Sequence, residues 1–276
     1  MAFASLRALG AGLALAVAPQ AWAGPDTRVD AAIVLAVDVS GSMDVEELAV
    51  QRAGYVEALR HPDLIRIVEN GRNKRIAISL FEWAGDVRDD ASVSWRVIET
   101  PADIEEFARA VEAAPVETSF GTSISRAIHH AMDLIDTADF SADAWLIDVS
   151  GDGPNNIGPP VAEARDRALD RGVTINGLPI MIRPSRGAPN LSAYYEDCVI
   201  GGLGAFVLPA TSREEIAPAI RRKLFRELIG AISPGDQGPG RAPGQGPERV
   251  WRASVEAPVD CMVGERLRVD PTAGQY

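Results

Sequence analysis

The sequence predicts an α/β fold: a doubly wound, mainly parallel sheet with one antiparallel edge strand and helices on both faces. Three observations carry that expectation. Apolar runs alternate along the chain with stretches of helical periodicity, the pattern of a parallel sheet wrapped on both sides. Those runs are nearly continuous in apolar residues, as strands covered on both faces must be. One run, "VSWRVIE" (93 to 99), alternates instead, which suits a half-exposed edge strand.

Taken in order, the chain opens with "MAFASLRALGAGLALAVAPQAWA" (1 to 23), in which Arg7 precedes an apolar stretch ending on the small residues Ala21 and Ala23. This reads as a signal peptide cut after Ala23, so a periplasmic or secreted protein is expected. The apolar run is shorter than the roughly 20 residues a membrane span needs, and no transmembrane segment is expected in the mature chain. A domain over 24–230 follows. Its strand candidates are "DAAIVLAVDV" (30 to 39), "RIAISLFEW" (75 to 83), the edge run at 93 to 99, "AWLIDVS" (144 to 150), "GVTINGLPIM" (172 to 181) and "GAFVLPA" (204 to 210). Helical stretches are expected at 44–60, 102–113, 122–136, 160–171 and 212–229. In the last, Ile216, Ile220, Leu224 and Leu228 recur every four residues, while Thr211 and Glu214 have capping-box spacing. Right-handed crossovers follow for parallel strands joined through helices. Residues 231–248 are rich in Pro and Gly and read as a linker. The tail, 249–276, holds one short strand candidate near Val250 to Val255 and is either docked or disordered.

Hydrophobic content of 46% is ordinary for a globular chain of 276 residues, but the net charge of -12 is not neutral in its consequences. Nucleic acid and anionic membrane surfaces are disfavoured as partners, and cations are favoured.

Two segments share the letters Asp-Val-Ser-Gly: "LAVDVSGSMD" (35 to 44) and "WLIDVSGDGPNN" (145 to 156). Both sit at the carboxyl ends of predicted strands, where sheets of this kind bind ligands. Asp38, Ser40 and Ser42 offer one carboxylate and two hydroxyls, hard oxygen donors of the kind Mg²⁺ prefers. Gly41 lets the loop turn between the serines. The competing reading is that Ser40 and Ser42 cap the following helix. An EF-hand loop counted from Asp38 would need glycine and glutamate where Met43 and Ala49 stand. An aspartyl phosphatase would need a second acid where Ser40 stands. The Gly-Lys-Ser/Thr ending of a Walker loop is absent.

The sequence "DVSGS" resembles the Asp-x-Ser-x-Ser signature of von Willebrand factor A-like domains with a metal-ion-dependent adhesion site. "SFGTSISRAI" supplies Thr122 where that family places a threonine, and "SGDGPNN" supplies Asp152 where it places an aspartate. Gly151 stands where threonine is usual. The segments "YYEDCVIGG" and "FEWAG" also look like those of an uncharacterised exported bacterial group. The resemblance implies a divalent cation, Mg²⁺ or Mn²⁺, bound directly by Ser40 and Ser42 and directly or through water by Asp38, Thr122 and Asp152. It also implies a protein partner that presents Glu or Asp to the metal.

Other residues are weighed beside these. Thr118, Ser119, Ser123 and Ser125 surround Thr122 and are substitutes for it. His129 and His130 are adjacent on a helix, point to different sides and read as solvated rather than as a metal pair. Asp148 must reach the crevice or meet a buried donor. Trp83 and Trp145 read as core, and Asp44 as a helix cap. Cys198 and Cys261 either form a disulfide in an oxidising compartment or remain one buried and one loose thiol. The expected function is an exported, metal-dependent protein-binding module and not an enzyme. The alternatives are a metal-dependent phosphoester hydrolase using the same cation and a scaffold with a degenerate site.

Overall fold

The apolar run from Arg28 to Asp38 becomes the central strand β1, buried at every residue after the first. The computed structural model describes residues 27–185, 187–232 and 259–269. The signal peptide expected at 1–23 and the strand candidate at 250–255 lie outside them, as does most of the expected linker.

After β1 come α1 (Val45–Arg60), α2 (Pro62–Glu69), β2 (Ile76–Trp83) and β3 (Val87–Ile98). Then follow α3 (Pro101–Ala113), α4 (Ile124–Asp136), β4 (Ser141–Gly151), α5 (Val161–Asp170) and β5 (Thr174–Pro179). The chain continues through α6 (Leu191–Tyr194), a π turn (Tyr195–Val199), α7 (Arg213–Ile232) and α8 (Val263–Val269). The five strands lie in the order β3-β2-β1-β4-β5. All neighbours run parallel except β2 and β3, which are antiparallel, so the expected edge strand is present.

Side chains on the two faces of β1 enter separate cores. Ile33 and Leu35 pack with α1, α2, α3 and α7, whereas Val34 and Ala36 pack with α4, α5, α6 and the π turn. Trp83 is fully buried, and Trp145 stacks on Phe140 with ring centroids 5.6 Å apart. His129 and His130 are half-buried, and His130 sets its ring edge against Phe81 at 4.6 Å, a correction to their reading as solvated.

Three expectations are corrected in detail. Residues 204–210 do not form a strand but two isolated bridges beside β5, Gly177 to Val207 and Ile180 to Ala210. Pro209 has no N–H to extend the ladder, and Gly204 adopts a positive φ of 71°. The Thr211 partner is Glu215, whose carboxylate accepts from the Thr211 N–H and hydroxyl at 2.9 and 2.7 Å, not Glu214. Helix α7 continues past Gly230 to Ile232. The short α2, opened by Pro62 and anchored by Leu64 and Val68, offered too little periodicity to be read beforehand.

Asp148, on β4, turns its carboxylate to Lys223 of α7 rather than to the crevice. The fully buried Lys223 ammonium lies 2.6 Å from Asp148 Oδ1 and 2.6 Å from Glu227 Oε1. Burial, with the Asp148 charge adding to it, pushes the Glu227 carboxyl up to about 8 against the pull of Lys223.

Candidate metal centre

β1 and β4 are parallel neighbours with Val37 opposite Ser150, so the loops after them leave the sheet side by side. That register places Asp38 at the end of one strand next to Asp152 just beyond the other. Asp38 is fully buried. Its Oδ1 accepts from Ser40 N–H at 2.7 Å and its Oδ2 from Asp152 N–H at 3.3 Å. The Ser42 hydroxyl donates to Asp152 Oδ1 at 2.6 Å, Ser40 Oγ lies 3.5 Å from the same oxygen, and the two hydroxyls are 3.1 Å apart.

The serines are not the helix cap. Asp44 fills that role, accepting from Glu47 N–H at 2.8 Å while Glu47 accepts from Asp44 N–H at 3.0 Å. Both hydroxyls therefore stay with the acids. Thr122, on the loop before α4, lines the same crevice as Ser40, Ser42 and Asp152, a cavity of about 710 Å³. Asn156 holds it in place: the Asn156 side chain accepts from Thr122 N–H at 3.0 Å, and its backbone N–H donates to Thr122 O at 2.8 Å. Ser123 caps α4 by accepting from Arg126 N–H at 3.4 Å, Ser125 bonds Asn155, and Ser119 N–H donates to Val39 O at 2.9 Å. The structure thus sets Asp38, Ser40, Ser42 and Asp152 in one hydrogen-bonded group, and Thr122 lines the crevice beside Ser40, Ser42 and Asp152.

Electrostatics agree with a cation-hungry site. Burial, then the Asp152 charge, pushes the Asp38 carboxyl up to about 8 despite the N–H bonds that favour its ionised form. Asp152 is raised too, chiefly by burial, with the Ser42 hydroxyl and Arg183 opposing. A divalent ion among these oxygens would neutralise both acids. Among the described residues no group of three His, Cys, Asp or Glu side chains is placed to hold a metal, so an ion here would depend on hydroxyl oxygens beside the two acids. That donor set fits a hard cation.

Four residues escaped the sequence reading. A Cβ on Gly151 would lie 2.7 Å from Asp38 Oδ2 and 2.8 Å from Tyr195 Oη, so the buried Tyr195 phenol occupies the room a threonine would need. Asn155 and Asn156 brace the loops, and their adjacency in "GPNN" was the available signal. Arg183 donates to Ser42 O at 3.0 Å and pairs with Glu47, and nothing local distinguished it from other arginines.

A five-stranded, mainly parallel sheet with helices on both faces and oxygen donors on the loops after β1 and β4 makes this a von Willebrand factor A-like fold. The chain belongs to the family described as "Protein of unknown function (DUF1194)", whose model matches residues 28–232. No curated protein compared with it matches. Among solved structures it is similar to proximal thread matrix protein 1 from the mussel byssus with a zinc-occupied MIDAS motif, at 16% identity and a TM-score of 0.55 over 74% of this chain and 48% of that one. The pilus adhesin SpaC from Lactobacillus rhamnosus GG aligns at 13% identity and a TM-score of 0.55, over 75% of this chain and 31% of that one. A von Willebrand factor type A protein from Catenulispora acidiphila aligns at 16% identity and a TM-score of 0.53, over 73% and 43%. The chain spans less than half the length of each of these three.

Proposed function

We propose that this chain is an exported, adhesion-type protein-binding module that holds a divalent cation at Asp38, Ser40, Ser42, Thr122 and Asp152 and uses it to dock an acidic group of a partner. The observation that carries the reading is the convergence of Ser40, Ser42 and Asp152 within hydrogen-bonding range on a crevice that Thr122 also lines. Two carboxylates only just neutralise a doubly charged ion, which keeps enough attraction for a further acidic oxygen from outside. Mg²⁺ or Mn²⁺ suits the oxygen donors, and the zinc in the mussel protein's motif supports a divalent ion in this kind of site. Binding is favoured over turnover because the described residues lining the crevice include no histidine, cysteine or lysine to act as base or nucleophile.

Work outside the cytoplasm is supported by the disulfide that joins Cys198 to Cys261. No helix among the described residues is long and apolar enough to cross a membrane. Calorimetric titration of Mg²⁺, Mn²⁺ and Zn²⁺ into the wild type and Asp152→Ala tests the site. Saturable binding to the wild type that Asp152→Ala loses is expected. Equal heats from both proteins would remove the metal reading, and Mg²⁺-dependent hydrolysis of p-nitrophenyl phosphate would replace the adhesion reading with the hydrolase.

A further inference from the structure

Residues 259–269 lie beyond the 28–232 matched by the family model, yet they build one wall of the crevice. The staple is Cys261, bonded to Cys198 inside the same π turn that brings Tyr195 beneath Asp38. From there α8 is seated closely on the metal-site loops. A Cβ on Gly264 would lie 2.1 Å from Asn155 O, and one on Gly187 would lie 2.0 Å from Leu267 Cδ1. Glu265 Oε1 accepts from Asn155 Nδ2 at 2.7 Å, and the Tyr194 hydroxyl donates to Cys261 O at 3.3 Å.

What this wall shows to the crevice is not acidic. Leu267 and Arg268 line it, and the Arg268 guanidinium stands 5.2 Å from the centroid of the Phe120 ring, a phenylalanine 79% exposed on the loop leading to Thr122. Arg183 lines the crevice as well, but its guanidinium is already paired with Glu47 and Asp44. An exposed aromatic beside an arginine and a leucine has the composition of a recognition surface. In a chain of net charge -12, the Arg268 guanidinium beside an apolar pair gives this wall a local character opposite to that of the whole.

We propose that α8 and Phe120 form a second recognition surface, which selects an acidic peptide segment of a protein partner. In it, one carboxylate faces the cation, a neighbouring apolar side chain rests on Phe120 and Leu267, and a further carboxylate meets Arg268. This rests on the metal-docking reading above. A small carboxylate ion would leave most of the 710 Å³ cavity unfilled, whereas a peptide would use the floor and the wall together.

The test uses the full chain in Mg²⁺ and two synthetic peptides, one with a single Glu among glycines and one with the run Leu-Glu-Glu among glycines. Calorimetry is expected to show the second binding about tenfold or more tighter to the wild type. Phe120→Ser and Arg268→Glu, both at exposed positions, are expected to bring that ratio close to one. The double variant Cys198→Ala with Cys261→Ala, which releases α8, should do the same. A ratio unchanged in all three variants, or absent in the wild type, overturns the second surface while leaving the metal reading intact. A preference that persists in EDTA but is lost in Phe120→Ser keeps the surface and removes the metal.

Discussion

The Ser42 hydroxyl donates to Asp152 Oδ1 over 2.6 Å and so ties the loop after β1 to the loop after β4. Both ends of that bond are oxygen ligands, and neither supplies the positive charge that the buried Asp38 and half-buried Asp152 carboxylates call for. Added Mg²⁺ should therefore raise the melting temperature, by about 2.7 kcal/mol of stability at a hundredfold excess over Kd. Ser42→Ala and Asp152→Ala should each lose that response. Asp152→Asn should instead melt higher than the wild type without metal, because it removes one of two like charges while leaving an oxygen for Ser42. Thermal melts with and without Mg²⁺ check all three.

Gly151→Ala should weaken metal binding more than it weakens the fold. The new methyl group would press on Asp38 Oδ2 and Tyr195 Oη, at 2.7 and 2.8 Å, and one of the two must shift. Adding Tyr195→Phe removes the phenol oxygen and should restore part of the affinity. Mg²⁺ titration of the single and double variants reads the effect.

The Lys223 cluster predicts a pH slope. Glu227, pushed up to about 8 from 4.5, holds its proton in the folded chain where the unfolded chain has released it. The folded state then binds more protons across that window, so stability falls as pH rises from 4.5 towards 8, by at most about 1.4 kcal/mol per pH unit. Glu227→Gln should flatten the slope. Lys223→Met, which leaves the Asp148 carboxylate buried without its cation, should cost about 3–5 kcal/mol. Denaturant melts at several pH values decide both.

Reduction of the Cys198 to Cys261 bond, which closes a separation of 63 residues, should lower stability by about 2–4 kcal/mol. It should also open Asn155 and Gly264 to solvent. Hydrogen exchange of the amides of α8 and of the 152–157 loop, with and without reductant, provides the check.

Much of the fold was legible because its signals are local. Continuous apolar runs marked β1, β2, β4 and β5, and four-residue periodicity marked α7. Residues 204–210 misled because their apolar run looks like a strand, while Gly204 and Pro209 break the ladder that would make it one. Asp148 stood open between two roles because the lysine that meets it lies 75 positions away, on helix α7.

The amino-acid sequence alone determined the parallel α/β architecture and the trio Asp38, Ser40 and Ser42, since a single turn after a strand sets their spacing. Tertiary structure decided the rest: that Asp152 and Thr122 join that trio, that Tyr195 takes the room beside Gly151, that Lys223 claims Asp148, and that α8 closes one side of the crevice. The reason is physical. Those meetings depend on which strands become neighbours and which cysteines pair, and both are settled by burial and loop closure across the whole chain rather than by any one segment.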